Sequence, residues 1–416
     1  MNAEPTQTAK APGSGRLVSL DVFRGATIAA MLLVNNPGSW SAVYAPLEHA
    51  PWHGWTFTDL IFPFFLWIVG VAMPLSMARR MEQGESRREL FQHVVRRALI
   101  IFGLGFFLNS FSYLIDGSLW RDGLWNWLGH YLTNVRIPGV LQRIALCYFI
   151  AGGFFLLTEG RWRAQVTGIV FLLTLYWLLM VFWPVPGHGR GVLEKDGNFC
   201  QYIDNLVLNG PTIGTHVWRT SRTWDPEGIV STLPAIATCA FGILTGLWLR
   251  SKGEPVAKAT GILAAGFVLA GLGELMNLWL PINKNLWTSS YAVFMAGLAM
   301  LCFAVCYWVI DVRGWRRWSK PFAVYGMNAI TIFVMAGIIG RLTLEIKLQR
   351  AAGAPLALKT VLYNAWFKPF ENPDTAPFLG FIASPKNASL MWALMYVLVF
   401  YAIAYLMYQK KWFIKF

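Results

Sequence analysis

The stretch Phe57-Thr58-Asp59-Leu60-Ile61-Phe62-Pro63-Phe64-Phe65-Leu66-Trp67-Ile68-Val69-Gly70-Val71-Ala72-Met73 carries one acid near its head, no base, and apolar residues throughout. With its continuation to Ala78 it is long enough to cross a membrane, since about 20 helical residues span a hydrocarbon core of about 30 Å. Similar runs recur near 22–36, 98–115, 136–157, 164–184, 229–249, 257–280, 287–310, 321–342 and 388–408. The expected fold is therefore an all-α polytopic bundle of about ten transmembrane helices. Alternating segments of about ten residues, which a β-barrel requires, do not occur.

Composition supports this reading. Of 416 residues, 56% are hydrophobic and 13% charged, with a mean hydropathy of +0.46. Soluble domains carry about 25% charged residues, so a soluble enzyme is excluded. The first run resembles a signal peptide in length, but it lacks a small-residue exit and carries Asp21 and Arg24 at its head. It reads as a retained span. Residues 1–17 read as a mobile cytoplasmic tail and 18–416 as a single transmembrane domain, without internal repeats.

The net charge of +14 follows topology and not nucleic-acid binding. Basic residues crowd the connectors holding Lys10 and Arg16, Arg79 to Arg97, Arg161 and Arg163, Arg250 to Lys258, Arg313 to Lys320, and Lys410 to Lys415. These alternate with longer loops poorer in bases, near 38–56, 116–135, 185–228, 281–286 and 343–387. The positive-inside rule puts the basic set and both termini in the cytoplasm. Cys147, Cys239, Cys302 and Cys306 fall in apolar runs and Cys200 stands alone in a polar loop, so neither a disulfide framework nor a cysteine zinc site is expected.

Ionisable groups inside spans cost about 2.5–3.5 kcal/mol each on insertion scales, so each requires a partner or a task. Asp21 and Arg24 stand at i,i+3, suited to an ion pair or to holding a phosphorylated ligand through the guanidinium fork. Glu48-His49-Ala50-Pro51-Trp52-His53-Gly54-Trp55-Thr56-Phe57-Thr58-Asp59 crowds one outer interface. An aromatic belt explains a tryptophan there, but not the histidines. A neutral imidazole takes protons near neutral pH and a carboxylate such as Asp59 fixes its tautomer. A metal site is the rival, but no third ligand accompanies His49 and His53, and no metal is expected.

Arg136 and Arg143 are seven apart at the head of the fourth run, which places Arg143 within the membrane, facing a counter-charge or an anionic ligand. Asp225 and Glu227 precede the sixth run, and Asn283, Lys284 and Asn285 join the seventh and eighth beside Trp287. Such groups resemble sugar-binding equipment. Glu274 and Asn328 read as further buried polar groups suited to helix-packing hydrogen bonds.

In this order these pieces resemble the heparan-α-glucosaminide N-acetyltransferase family and its bacterial relatives. The likeness runs from Arg16 to Phe416. It is carried by Asp21-x-Phe23-Arg24-Gly25, Val34-Asn35, His49-Ala50-x-Trp52-x-Gly54, Asp59-Leu60-x-Phe62-Pro63, Arg136 to Arg143, Asp225 to Ile229, Asn283 to Trp287, Gly326-Met327-Asn328 and Lys410-Lys411. The resemblance implies transfer of an acetyl group from cytoplasmic acetyl-CoA to a glucosamine amine across the membrane. It puts the family's catalytic histidine on His49 and its active-site asparagine on Asn35; Asp59, from the reading of the loop itself, is expected to orient His49.

On this reading Arg24, Arg80, Arg96, Arg97 and Arg143 are the candidate acetyl-CoA-binding residues. Trp52, Asp225, Glu227, Asn283, Lys284 and Asn285 are the candidates for the amino-sugar acceptor. The animal members' additional N-terminal domain has no counterpart in this sequence, which points to a bacterial inner-membrane protein. The resemblance also implies a homodimer, and the small residues of 264–273 permit close helix packing. Membrane lipid is the remaining partner. A permease for amino sugars or cell-wall fragments is the competing class, and an acyltransferase acting on hydroxyls would share the donor site.

Overall fold

The computed structural model describes residues 17–349, 354–376, 378 and 380–414. Lys10, Arg16, Lys415 and nearly all of the expected tail lie outside them. Fifteen α-helices occur among the described residues: α1 (Val18–Asn35), α2 (Phe57–Glu82), α3 (Arg87–Ile115), α4 (Ser118–Asp122), α5 (Leu124–Asn134), α6 (Val140–Leu157), α7 (Trp162–Phe182), α8 (Phe199–Leu208), α9 (Thr232–Arg250), α10 (Pro255–Asn277), α11 (Ser289–Tyr307), α12 (Lys320–Met327), α13 (Ala329–Glu345), α14 (Leu358–Trp366) and α15 (Pro385–Gln409). Two antiparallel pairings, Asn209–Gly210 with Gly214–Thr215 and Lys347–Leu348 with Leu356–Ala357, close small hairpins. The fold is an all-α polytopic membrane bundle.

Nine of these helices, with α11 continued to Val312, are long and apolar enough to span a membrane. The tenth expected span is not straight: α12 and α13 meet at Asn328 with a bend of 80°. Two other expectations change. Only residues 83–86 connect α2 to α3, so Arg96 and Arg97 lie on a helix and not in a connector. The fourth span begins at Val140, which leaves Arg136 on an extended segment and puts Arg143 in the first helical turn.

The centre of the bundle is α2, α9 and α11, where Leu66, Trp67, Val71, Ala237, Ile243, Tyr291, Met295 and Phe303 are fully buried. Around it α7, α10 and α15 turn side chains such as Phe171, Phe267, Val268 and Leu398 outward. Apolar faces of this kind suit lipid, which costs nothing to meet them. Two helix crossings depend on glycine. A β-carbon on Gly25 of α1 would overlap the Phe322 carbonyl oxygen, and one on Gly326 would overlap that of Asp21. Gly70 of α2 and Gly242 of α9 approach equally closely, each against the other helix's backbone. The small residues of 264–273 are used within the chain: Gly266, Ala270 and Gly273 pack against Leu301, Gly297 and Phe294 of α11.

Contacts at the helix ends divide the bundle into two poles. At the basic pole Arg250 pairs with Glu82, Arg87 with Glu159, and the Ser19 N–H donates to Asp311. At the opposite pole the loops 48–56, 135–139, 204–231 and 281–288 are bound together. Glu274, expected to be buried, is exposed there and, among the described residues, accepts a hydrogen bond only from Asn277 of its own helix.

Candidate active site

The opposite pole is organised by one carboxylate. Thr56 ends an extended segment and α2 begins at Phe57, so the first backbone N–H groups of the helix lack intrahelical acceptors. Asp59, three residues on from Thr56, turns back to accept from the Thr56 N–H at 3.0 Å. The same oxygen accepts from the Ala50 N–H at 3.0 Å, while Oδ1 faces His49 Nδ1 at 2.6 Å. Asp59 is buried, and the positive end of α2 favours its ionised form. With Asp59 accepting, His49 Nδ1 carries the proton and Nε2 keeps its lone pair. Tyr291 adds a hydrogen bond from its hydroxyl to the Asp59 carbonyl at 2.6 Å.

The loop carrying His49 is tied to its neighbour. The Gly54 N–H donates to Ile282 O at 2.7 Å, and the Asn283 amide lies 3.3 Å from His53 Nδ1. Asn283 Oδ1 accepts from the Leu286 N–H, so this side chain shapes the 281–288 turn. Trp287 in that turn has φ of 50°, a conformation that bulky side chains adopt only under constraint from their surroundings. Its ring is fully buried, edge-on to Phe62 and Tyr291, with the Arg143 guanidinium 5.2 Å from the ring centroid.

Arg136 joins the remaining loop. Its Nε donates to Asp225 Oδ2 at 2.8 Å and its Nη2 reaches Asp225 Oδ1 at 2.6 Å and Glu227 Oε2 at 2.5 Å. Burial opposes the Arg136 charge, but the two carboxylates outweigh it and raise its pKa. Burial raises the carboxyl of Asp225, whereas Glu227, also buried, is held below the ordinary range by Arg136, Lys284 and Arg143. Asp204 of α8 accepts from the backbone N–H groups of Asp225 and Ile229 and braces the turn from beneath.

A cavity of about 660 Å³ connects the two poles. On α2 it is lined by Thr58, Ile61, Phe62, Phe65, Ile68, Val69, Ala72, Met73, Ser76 and Arg80, which is one continuous face at helical spacing. From Thr58 to Arg80 that face rises about 33 Å at about 1.5 Å per residue. Asn35, His49, Glu227 and Lys284 line the end at the loops, and Arg24, Arg80 and Arg97 line the basic end. A smaller adjoining cavity of about 330 Å³ shares Arg80, Arg97 and Tyr148 and adds His93 and Arg96.

The expected site residues therefore separate. His49, Asn35, Glu227, Lys284, Arg24, Arg80 and Arg97 border the main cavity, and Arg96 borders the smaller one. Arg24 is also engaged by Asp21 at 2.5 Å and by the Gly326 carbonyl at 2.8 Å. Arg143 lies outside the lining because its Nη2 binds Gly228 O and Ser231 Oγ while Trp287 covers it. Trp52 is packed against Trp224, with its indole N–H on Leu193 O. Asp225 and Asn283 are buried in loop structure, and Asn285 is not part of the lining. The sequence reading missed Tyr148, Asp204 and Tyr291, which no local pattern distinguishes. It also missed the capping-box spacing from Thr56 to Asp59, which was legible.

Two comparisons bear on this arrangement. Residues 16–120 match a family described as a domain of unknown function, DUF5009. The chain is 27% identical over 380 residues to the heparan-alpha-glucosaminide N-acetyltransferase of Mus musculus, covering 80% of this chain and 55% of the relative. It is 28% identical over 365 residues to that of Homo sapiens, covering 77% and 52%. This chain is similar to those acetyltransferases over most of its own length. It spans about half the length of the curated relatives it matches. The aligned length exceeds the 16–120 match severalfold, so the likeness is not confined to the first helices.

Proposed function

We propose that this protein is a transmembrane acetyltransferase that moves the acetyl group of acetyl-CoA to the amine of a glucosamine-containing acceptor. The single observation that carries the reading is the cavity itself, with cations at one pole and the Asp59-oriented His49 at the other. An extended donor with an anionic head and a reactive far end fits such a cavity. Fixed guanidinium groups suit phosphate oxygens. Arg97 is apt for this: its Nε is buried without a hydrogen-bond partner among the described residues, and its guanidinium lies 5.1 Å from the Tyr148 ring centroid.

In this reading His49 Nε2 removes a proton as the acceptor's amine nitrogen bonds to the thioester carbonyl carbon. Asn35 donates its side-chain N–H to the oxygen that becomes negative, and the carbon–sulfur bond breaks as the carbonyl reforms. Asp59 keeps the imidazole oriented and stabilises the cation formed on it. Glu227 offers a carboxylate to an amine arriving from the loop side, and Lys284 flanks it. A route through an acetyl group on His49 uses the same residues and is separated by trapping with acetyl-CoA alone.

The positive-inside rule assigns the basic pole to the cytoplasm, and the reading makes the chain a homodimer in a bacterial plasma membrane with its acceptor on the periplasmic side. The permease reading shares the through-going cavity, but it gives no task to the His49–Asp59 pair.

The test follows CoA release from acetyl-CoA by the purified protein, with and without glucosamine, for the native chain and His49→Ala. Glucosamine-dependent release that vanishes in a folded His49→Ala protein supports the reading. Absence of both release and acetyl-CoA binding overturns it in favour of transport.

A further inference from the structure

The break at Asn328 has a second consequence. Helix α15 ends at Gln409, and Lys411 adopts φ of 57°, which reverses the chain. The Trp412 N–H returns to Met407 O at 2.9 Å, and the chain turns back into the bundle. Asn328, almost fully buried between α12 and α13, grips it at two points. Its Nδ2 donates to Trp412 O at 3.0 Å, and its Oδ1 accepts from the Ile414 N–H at 3.1 Å. An amide that satisfies both a carbonyl and an N–H of an extended segment fixes its height and its rotation. Of the side chains thus held, Phe413 meets the Tyr408 ring edge-on, with centroids 6.4 Å apart, and among the described residues neither Phe413 nor Ile414 is part of a buried hydrophobic cluster. They keep 39% and 48% exposure and line the main cavity beside Gly326 and Met327, at the Arg24 end.

Large apolar side chains held by a two-point polar anchor and left facing a cavity are placed for contact with something that enters it. We propose that the C-terminal segment 412–414 forms the wall of the cavity's basic mouth, that Phe413 and Ile414 contact the apolar arm of the donor behind its phosphates, and that Asn328 is their positioning residue. The donor half of this proposal rests on the acetyltransferase reading. The wall itself does not.

A cysteine-accessibility experiment separates the two. Cys302 and Cys306, which are not fully buried, are replaced by serine, and Ala72→Cys puts a thiol on the cavity face of α2, inward of Ser76 and Arg80. Its modification by a bulky polar maleimide is measured by mass spectrometry in detergent, with Asn35→Cys as the label at the far mouth. Phe413→Ala combined with Ile414→Ala, and separately Asn328→Ala, should raise modification at position 72 about tenfold and leave position 35 unchanged, as expected if a local opening costing about 1.4 kcal/mol is removed.

An unchanged rate at position 72 in proteins that elute as native overturns the wall. Acetyl-CoA should also slow labelling of position 72 in the otherwise native chain. A raised rate in the variants without that protection supports the wall and overturns the donor reading. In the activity assay, both tail variants should raise the KM for acetyl-CoA about tenfold with kcat held within about twofold, a split that general destabilisation does not produce.

Discussion

Asp59 Oδ1 lies 2.6 Å from His49 Nδ1, and the partner oxygen of the same carboxylate closes the first turn of the helix that forms one whole side of the cavity. Helix start and imidazole orientation are thereby one feature. His49→Ala should lower the rate of acetyl transfer by about 10²–10⁴-fold, the range for loss of a positioned base, with little change in thermal stability. Asp59→Ala should lower both. The N–H groups of Ala50 and Thr56 lose their acceptor, at about 1–3 kcal/mol for each donor left unsatisfied. Initial rates and melting curves in detergent check this. An Asp59→Ala protein with a lowered melting temperature and a full rate would remove Asp59 from the chemistry and leave it only the cap.

The two arginines at the basic mouth should not be equivalent. Arg80 already shares its charge with Glu85, whose two oxygens each lie 3.3 Å from Nη1. Arg97 has a ring beneath it and a buried Nε without a protein acceptor among the described residues. Arg97→Met should therefore raise the KM for acetyl-CoA about tenfold or more, about 1.4 kcal/mol or more of lost phosphate contact, and Arg80→Met should raise it less. Steady-state kinetics in low and high salt check the assignment. The native KM should rise with ionic strength, and that salt dependence should shrink in Arg97→Met.

Arg136 is the counter-ion of two carboxylates that are almost wholly out of water. Breaking a buried pair by deleting one partner costs about 3–5 kcal/mol because the other charge stays behind. Arg136→Met should accordingly lower the melting temperature sharply, and adding Asp225→Asn should recover part of the loss. A double variant no more stable than the single one would show that Asp225 is not the stranded charge.

Much of this is legible in the sequence. Runs such as 57–78 declare spans by length alone, and His49 and the basic clusters stand out because charge and imidazole are rare in so apolar a chain, whereas Asn35 is pointed to by the family resemblance alone. What stayed hidden was relational. Arg136 and Arg143 look like a matched pair at seven residues' separation, but Pro138 and Gly139 delay the helix until Val140. The two arginines then serve different partners, a carboxylate pair and the Trp287 ring. Trp52 reads as a sugar platform from its neighbours in sequence, whereas its indole N–H is taken by Leu193, far along the chain. Asn328 reads as one more polar residue in a span until the bend and the returning C-terminal segment give it two backbone partners.

Asp204 is the group whose titration should be felt at the site. Burial pushes its carboxyl up to about 7, with the charge of Asp225 adding and the Ile229 and Asp225 N–H groups and Arg143 opposing; Cys200, a further titratable neighbour, is itself raised to about 12 by burial and stays neutral. An unfolded aspartate titrates near 3.9, so the folded loop holds a proton that the unfolded chain has released. The stability this contributes is complete below about pH 4 and is lost as pH rises through about 7. The turn that Asp204 braces is the one that sets Glu227 at the cavity. Loosening it above neutrality should lower the melting temperature and speed amide exchange at Asp225 and Ile229. Asp204→Asn keeps one oxygen acceptor, so it should start less stable but show a flatter pH profile between about 5 and 8. Protection factors, which divide out the base-catalysed rise of intrinsic exchange with pH, decide the matter when measured across that range, because a slope in protection retained in Asp204→Asn would assign the titration to a different group.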